Sequence, residues 1–181
     1  MYNAKIAEDF SILMIGSIER PVPSDLHIQK EMFVLTQTIP DLREIFNFKK
    51  HYQGPFSQIL RDIIDSPIYV DRAFERRGRS ILLSKNGKKE FNNIVKRNIK
   101  EEDFNILNIN IKLIRNIYDR LNRFELLFLV YDTYPKYIEM SDVYNSIIKN
   151  KKLVNEIIVN LIRKGSITED RFMEIKKRYN L

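Results

Sequence analysis

The apolar positions of this chain repeat mostly at helical spacing. Ala4, Ala7, Phe10, Ser11 and Met14 share one face of a helix predicted over 3–16, with Ile15 beside it. Gly16, Pro21 and Pro23 end that segment. Ser24 is the expected N-cap of a buried helix from Asp25 to about Thr38, with Leu26, Ile28, Met32, Phe33 and Leu35 inward. Pro40 breaks it, and 41–46 adds one or two turns. Residues 51–57 read as a loop, with Gly54-Pro55 as its turn. They lead into a helix capped by Ser57 that runs to about Asp65. Its inner side is Ile59, Leu60, Ile63 and Ile64; its outer side is Gln58, Arg61, Asp62 and Asp65.

The period then changes. Ile68–Phe74 and Ser80–Leu83 are rich in β-branched and aromatic residues and read as two strands. Between them Glu75-Arg76-Arg77-Gly78-Arg79 forms a charged tip with one Gly for the turn. Ser84 is the expected cap of a helix over 85–99, with Phe91, Ile94, Val95 and Ile99 facing in. Residues 104–122 are apolar on most sides, which predicts burial between layers or in an oligomer interface. Helices over 123–134, 142–149, 151–164 and 169–178 follow, with Pro135, Ser141, Gly165 and Thr168 as stops or caps. The predicted fold is mainly α with a small β-hairpin. A winged helix-turn-helix-like part spans 1–100, and a C-terminal helical bundle for dimerisation or packing spans 101–181.

Composition narrows the class. A hydrophobic share of 44% in 181 residues suits globular domains. The absence of Cys removes disulfides, thiolate zinc sites and a Cys nucleophile. The apolar stretches are too short to span a bilayer. Glu8 and Asp9 precede the first of them, which does not suit a signal peptide. A cytoplasmic protein without membrane contact is expected. The net charge of +7 is not spread evenly. Residues 72–100 hold ten Lys or Arg against Glu75 and Glu90, giving +8, while everything else sums to −1.

Three helices followed by a hairpin is the winged-helix order, in which one helix enters the major groove and the wing lies along the backbone or minor groove. On that reading Gln58 and Arg61 face base edges. Arg72, Arg76, Arg77 and Arg79 form the wing's charge, and Lys85, Lys88 and Lys89 reach phosphates. The expected partner is double-stranded DNA, contacted by a protein of the transcription-regulator kind. Asp62 and Asp65 make the reading helix a weak one, so backbone attraction is expected to exceed specificity. The rival expectation is a protein-interaction or antitoxin-like module without DNA contact. A homodimer through residues 104–122 would serve either; the plain alternative is a monomer's core helix.

Short motifs carry a resemblance. Ile28-Gln29-Lys30-Glu31-Met32-Phe33, Tyr52-Gln53-Gly54-Pro55-Phe56-Ser57 and Leu83-Ser84-Lys85-Asn86-Gly87 resemble the LQK-x-x-F, Y-x-GP-[YF]-S and LT-x-x-G segments of the YwgA-like family. Glu125-Leu126-Leu127, Tyr131, Tyr134-Pro135-Lys136-Tyr137 and Gly165-Ser166-Ile167 resemble that family's C-terminal part. A more distant similarity is to the antitoxin-associated SocA-type domain. The resemblance covers about 28–168 and implies a winged-helix-like fold. Ser84 stands where the family has Thr and Ile28 where it has Leu. It implies no catalytic residues. Tyr52 and Phe56 are read as core anchors.

Enzyme signatures are absent from the sequence. His27 and His51 are the only histidines and lack a metal-ligand spacing. Glu174-Ile175-Lys176 lies on a terminal helix, away from the strand a metal nuclease would need. No phosphate-cradling Gly-rich loop or G-x-S-x-G elbow occurs. No catalytic residue, cofactor or metal is expected.

Overall fold

The computed structural model describes residues 2–138 and 142–181, so the Ser141 cap lies outside the described residues. The elements run α1 (Tyr2–Gly16), α2 (Asp25–Thr38), α3 (Pro40–Phe46), α4 (Gln58–Asp65), β1 (Phe74–Arg77), β2 (Ser80–Leu83), α5 (Lys85–Asn98), α6 (Glu102–Tyr118) and α7 (Arg123–Thr133). A 3-10 turn (Pro135–Tyr137), α8 (Asp142–Ile148), α9 (Lys151–Arg163) and α10 (Glu169–Tyr179) complete the chain. It is mainly helical with one two-stranded antiparallel hairpin. No helix among the described residues is long and apolar enough to cross a membrane.

Two compact units result: 1–48 with 57–119, and 49–56 with 120–181. Helix α6 therefore belongs to the first unit, whereas the sequence reading grouped 101 onward with the C-terminal bundle. In the first unit α1 is the central helix, contacted by α2, α3, α4, α5, α6 and β2. Ser11, Ile12, Leu13, Met14 and Ile15 are all buried, so its second half has no solvent face. The helix expected to be buried between layers or in an oligomer interface, 104–122, buries one face within this chain: Ile111, Ile114, Arg115 and Tyr118. Neighbours enclose α1 on every side, whereas α6 leans mainly on α2 and α1.

Arg115 plugs the C-terminal end of α1. Its Nη1 donates to the Met14 and Ile15 carbonyls at 2.9 and 3.1 Å. Those are end-of-helix acceptors that lack a partner inside the helix. Nη2 donates to the Arg20 carbonyl at 2.9 Å and to Asp119 at 3.0 Å, and Nε also donates to Asp119. Glu31 lies 3.5 Å from Nε and is fully buried. Burial first, and the Asp119 carboxylate second, push the Glu31 pKa well above the usual range.

The expected strand 68–74 is not a strand. Residues 68–73 form bends and a turn, because Ile68, Tyr69 and Val70 donate their amides to the buried Glu8 carboxylate of α1 at 2.7 to 3.2 Å. Amides satisfied by a side chain need no ladder. Pairing is instead Phe74 to Leu83 through Arg77 to Ser80, so Glu75, Arg76 and Arg77 are strand residues. The tip shrinks to Gly78-Arg79, with Gly78 at φ 61° as a tight hairpin turn requires. On the other edge of β2, Val22 and Ile81 exchange backbone hydrogen bonds of 2.8 and 2.9 Å. Pro21 and Pro23 have no amide hydrogen to extend that contact.

Caps at Ser57, Ser84 and Thr168 form as expected, accepting from Leu60, Gly87 and Arg171. Ser24 occupies the cap position of α2 but makes no cap bond; its hydroxyl pairs with His27 Nδ1 at 2.8 Å. Ile99 is exposed, not inward. Gln29 and Ser57 exchange two bonds, Nε2 to the Ser57 carbonyl at 2.9 Å and the Ser57 amide to Oε1 at 2.8 Å. The Ser57 hydroxyl also donates to the Phe46 carbonyl. The first two family-like motifs thus meet at the start of α4.

In the second unit α7 is central, with Leu126 through Tyr131 buried in succession. Asn122 and Glu125 form a reciprocal capping box at its start. Glu125 also accepts from Lys164 at 2.6 Å. Buried Asp132 near its end accepts from Arg171 and Arg178. The 49–56 segment closes on itself by a Lys49–Phe56 bridge. The His51 ring lies 3.9 Å from Tyr52 and 5.0 Å from Phe56 between centroids. Tyr52 is exposed, so it is not the core anchor expected.

Two stability predictions follow from the first unit. A Cβ on Gly87 would lie 2.1 Å from the Ala73 carbonyl oxygen. Gly87→Ala, which helix propensity alone would favour by about 1 kcal/mol, is expected to destabilise by about 2 kcal/mol in urea melts. Lys30 is buried in α2, and burial pulls its pKa down to about 7. The unfolded chain holds that proton up to about pH 10, so Lys30 makes stability rise with pH between about 7 and 10. Lys30→Met is expected to be more stable than wild type at pH 7, with the gain fading toward pH 10. Glu31 acts in the opposite sense in both proteins, so the difference between their melts isolates Lys30.

Candidate nucleic-acid interface

Cross-strand partners share a face of the hairpin, and this decides where its charges go. Arg76 lies opposite buried Ile81, on the core-facing side. There it binds Asp25 of α2 in bidentate fashion at 2.9 and 3.0 Å and Asp65 of α4 at 2.7 Å. These carboxylates, Asp25 first, hold its pKa above the usual guanidinium value. Arg77 lies opposite Ser80 and points to the other face. Arg77 and Arg79 flank Gly78 at the exposed tip, and neither has an ion pair among the described residues.

The remaining expected contacts are scattered around this hairpin. Gln58, the first residue of α4, is exposed, and its amide donates to Asp62 at 2.7 Å. Arg61 stands 3.8 Å from Asp65, both solvent-exposed. Arg72 precedes β1 with a left-handed φ of 49°. Lys85 opens α5 and is exposed. Lys88 lines a cleft of about 500 Å³ with Ile18, Arg20, Leu82 and Phe91. Lys89 lines a different, shallower hollow with Tyr69, Asp71 and Glu90.

The cations of the cassette do not all stand free. Arg76 is neutralised by two of the protein's own surface carboxylates, Arg97 pairs with Glu90 at 3.1 Å, and Lys88 and Lys89 border separate depressions. The part projecting as a unit is Arg77-Gly78-Arg79. Arg76 is the residue whose role the sequence obscured. A charge run shows how many cations there are, not that Asp25, 51 positions away, folds onto one of them.

The groups considered for catalysis have structural neighbours. His27 bonds Ser24, His51 stacks on two rings, and Glu174 pairs with Arg171 at 2.9 Å. No protein-family model and no curated protein matches the chain.

Arg76 and Arg77 are adjacent exposed arginines in sequence terms, yet the structure separates their roles. Arg76→Ala is expected to lower stability by about 0.5–1 kcal/mol, the range of a screened surface pair. Arg77→Ala is expected to stay within ~0.5 kcal/mol of wild type. Thermal melts of the two variants check this.

Proposed function

We propose that the first unit is a winged-helix-type module that binds duplex DNA, mainly through the phosphate backbone, as transcription-regulator-like proteins do. The observation that carries the reading is that Arg77 and Arg79, without an ion pair among the described residues, flank Gly78 at an exposed hairpin turn. Arg inserted into a narrow minor groove or laid along phosphates is the contact a wing makes. The order supports it: α1, the Val22 bridge, α2, then α4 and the hairpin β1–β2. Lys85, at the start of α5, adds a third cation free of ion pairs among the described residues.

Base readout is the weaker half of the proposal. The exposed side of α4 offers Gln58, Arg61, Asp62 and Asp65, and the two that could read bases are turned to neighbouring acids. Affinity without strong sequence preference is the expected behaviour. Membership of the YwgA-like group belongs to the same proposal. It is supported by the way the motif residues meet, Gln29 against Ser57 and Gly87 beneath Ala73. The second reading, a protein-interaction module, is favoured by one observation: the aliphatic strip on the outer face of α6.

The test is duplex binding by fluorescence anisotropy across a salt series. Three phosphate contacts predict a slope of log K on log salt of about −3 per protomer. Arg77→Ala/Arg79→Ala is expected to flatten that slope by about two and weaken all duplexes alike. Binding unchanged in this variant, or no binding by wild type at low salt, overturns the proposal.

A further inference from the structure

The outer face of α6 is apolar where a surface helix is normally polar. Ile106, Ile109 and Leu113 are 51%, 59% and 54% exposed. With Glu102 they follow a 4-3-4 spacing, which keeps all four on one stripe of a helix. Beside the stripe a groove of about 610 Å³, bordered by Thr38, Ile39, Phe104 and Leu107, continues the apolar surface. This stripe is distinct from the inner face of the same helix, which packs against α1 and α2.

Charge is arranged along the stripe with a direction. Glu101, Glu102 and Asp103 crowd its N-terminal end. Lys112 stands beside Leu113 toward the other end, exposed. None of these four makes an ion pair among the described residues. A parallel neighbour would set acids against acids. An antiparallel copy of the same helix sets each acidic end against a lysine.

We propose that this face is closed by a second copy of the chain, α6 against α6 in antiparallel fashion about a two-fold axis near residues 107 and 108. In that register Ile106 meets the partner's Ile109, and Glu102 lies level with the partner's Leu113. The partner's Lys112 then comes level with residue 103, on the flank of the seam that carries Glu101. A two-fold interface repeats each of these contacts, so one aliphatic cluster and two acid–lysine sets form together. The proposal does not depend on DNA binding, since it concerns a face without the wing residues.

Sedimentation equilibrium of the full chain over a wide concentration range tests it. Wild type is expected to associate to a dimer, and Ile109→Asp to stay monomeric with an unchanged helical spectrum. Lys112→Glu, and separately Glu101→Lys/Glu102→Lys, are expected to weaken dimerisation tenfold or more. The combined triple variant is expected to recover it, because the swap restores opposite charges in the antiparallel register alone. These are exposed positions, so folding is preserved while pairing changes. A wild type monomeric at every concentration overturns the proposal, as would happen if a different protein used the stripe. A triple variant no better than its parents overturns the antiparallel pairing.

Discussion

The buried guanidinium of Arg115 is the constraint on which the first unit depends. A charge taken out of water costs several kcal/mol unless every hydrogen finds an acceptor. Here all five N–H groups do, from the Met14, Ile15 and Arg20 carbonyls and the Asp119 carboxylate. The acceptors lie on the end of α1, the segment after it and the end of α6. One side chain thus closes a helix that has no solvent face to satisfy its last carbonyls. Arg20 reinforces the closure by donating to Asp119 at 2.8 Å and to the Arg115 carbonyl at 3.2 Å. Losing the guanidinium would remove five donors at once, leaving Asp119 only Arg20 and the Met14 carbonyl only the Ser17 hydroxyl among the side-chain donors described, which is how a buried ion pair becomes costly to break without being a large net source of stability.

That closure reaches the hairpin by a short path. The chain leaves α1 through Arg20 and passes directly to Val22, which pairs with Ile81 in β2. Fixing Arg20 fixes the edge on which β2 lies. Glu8, near the middle of α1, gathers the amides of Ile68, Tyr69 and Val70 ahead of β1. Arg76 then ties β1 to α2 and α4. The hairpin is held from three directions by polar contacts, the Glu8 carboxylate buried and the Arg76 pairs at the surface.

The parts of the fold legible in the sequence were those set by local chemistry. Helix spans follow from apolar spacing and from Ser57, Ser84, Thr168 and Gly165, whose effects act within four residues. What was illegible depends on partners far along the chain. The run 68–74 has strand composition, but Glu8, 60 positions earlier, takes its amides. Residues 104–122 look fit for burial on all sides, yet composition does not say how many neighbours will surround a helix. Arg115 appears in the sequence as one more cation on that helix, and nothing within a few residues marks it as a large, fully buried side chain. The site divides the same way: the cations of 72–100 are countable in the sequence, while their partners are not.

The two arginines of β1 show how the hairpin divides its charge. A two-residue tip is mobile unless something anchors the strands beneath it, and a cation on a mobile tip must lose conformational freedom on contact. Arg76 gives up its own charge to Asp25 and Asp65 and so removes part of that entropy in advance. The acids it engages would otherwise oppose an approaching phosphate, so pairing also masks them. Arg77, one residue on, faces the opposite way because strand side chains alternate, and it stays unpaired for that reason alone. A shift of one residue in the β1 register would exchange the two roles, turning Arg77 inward and Arg76 outward. The Val22–Ile81 bridge and the Gly78 turn both oppose that shift. The wing's outward charge is thus set by strand register as much as by composition.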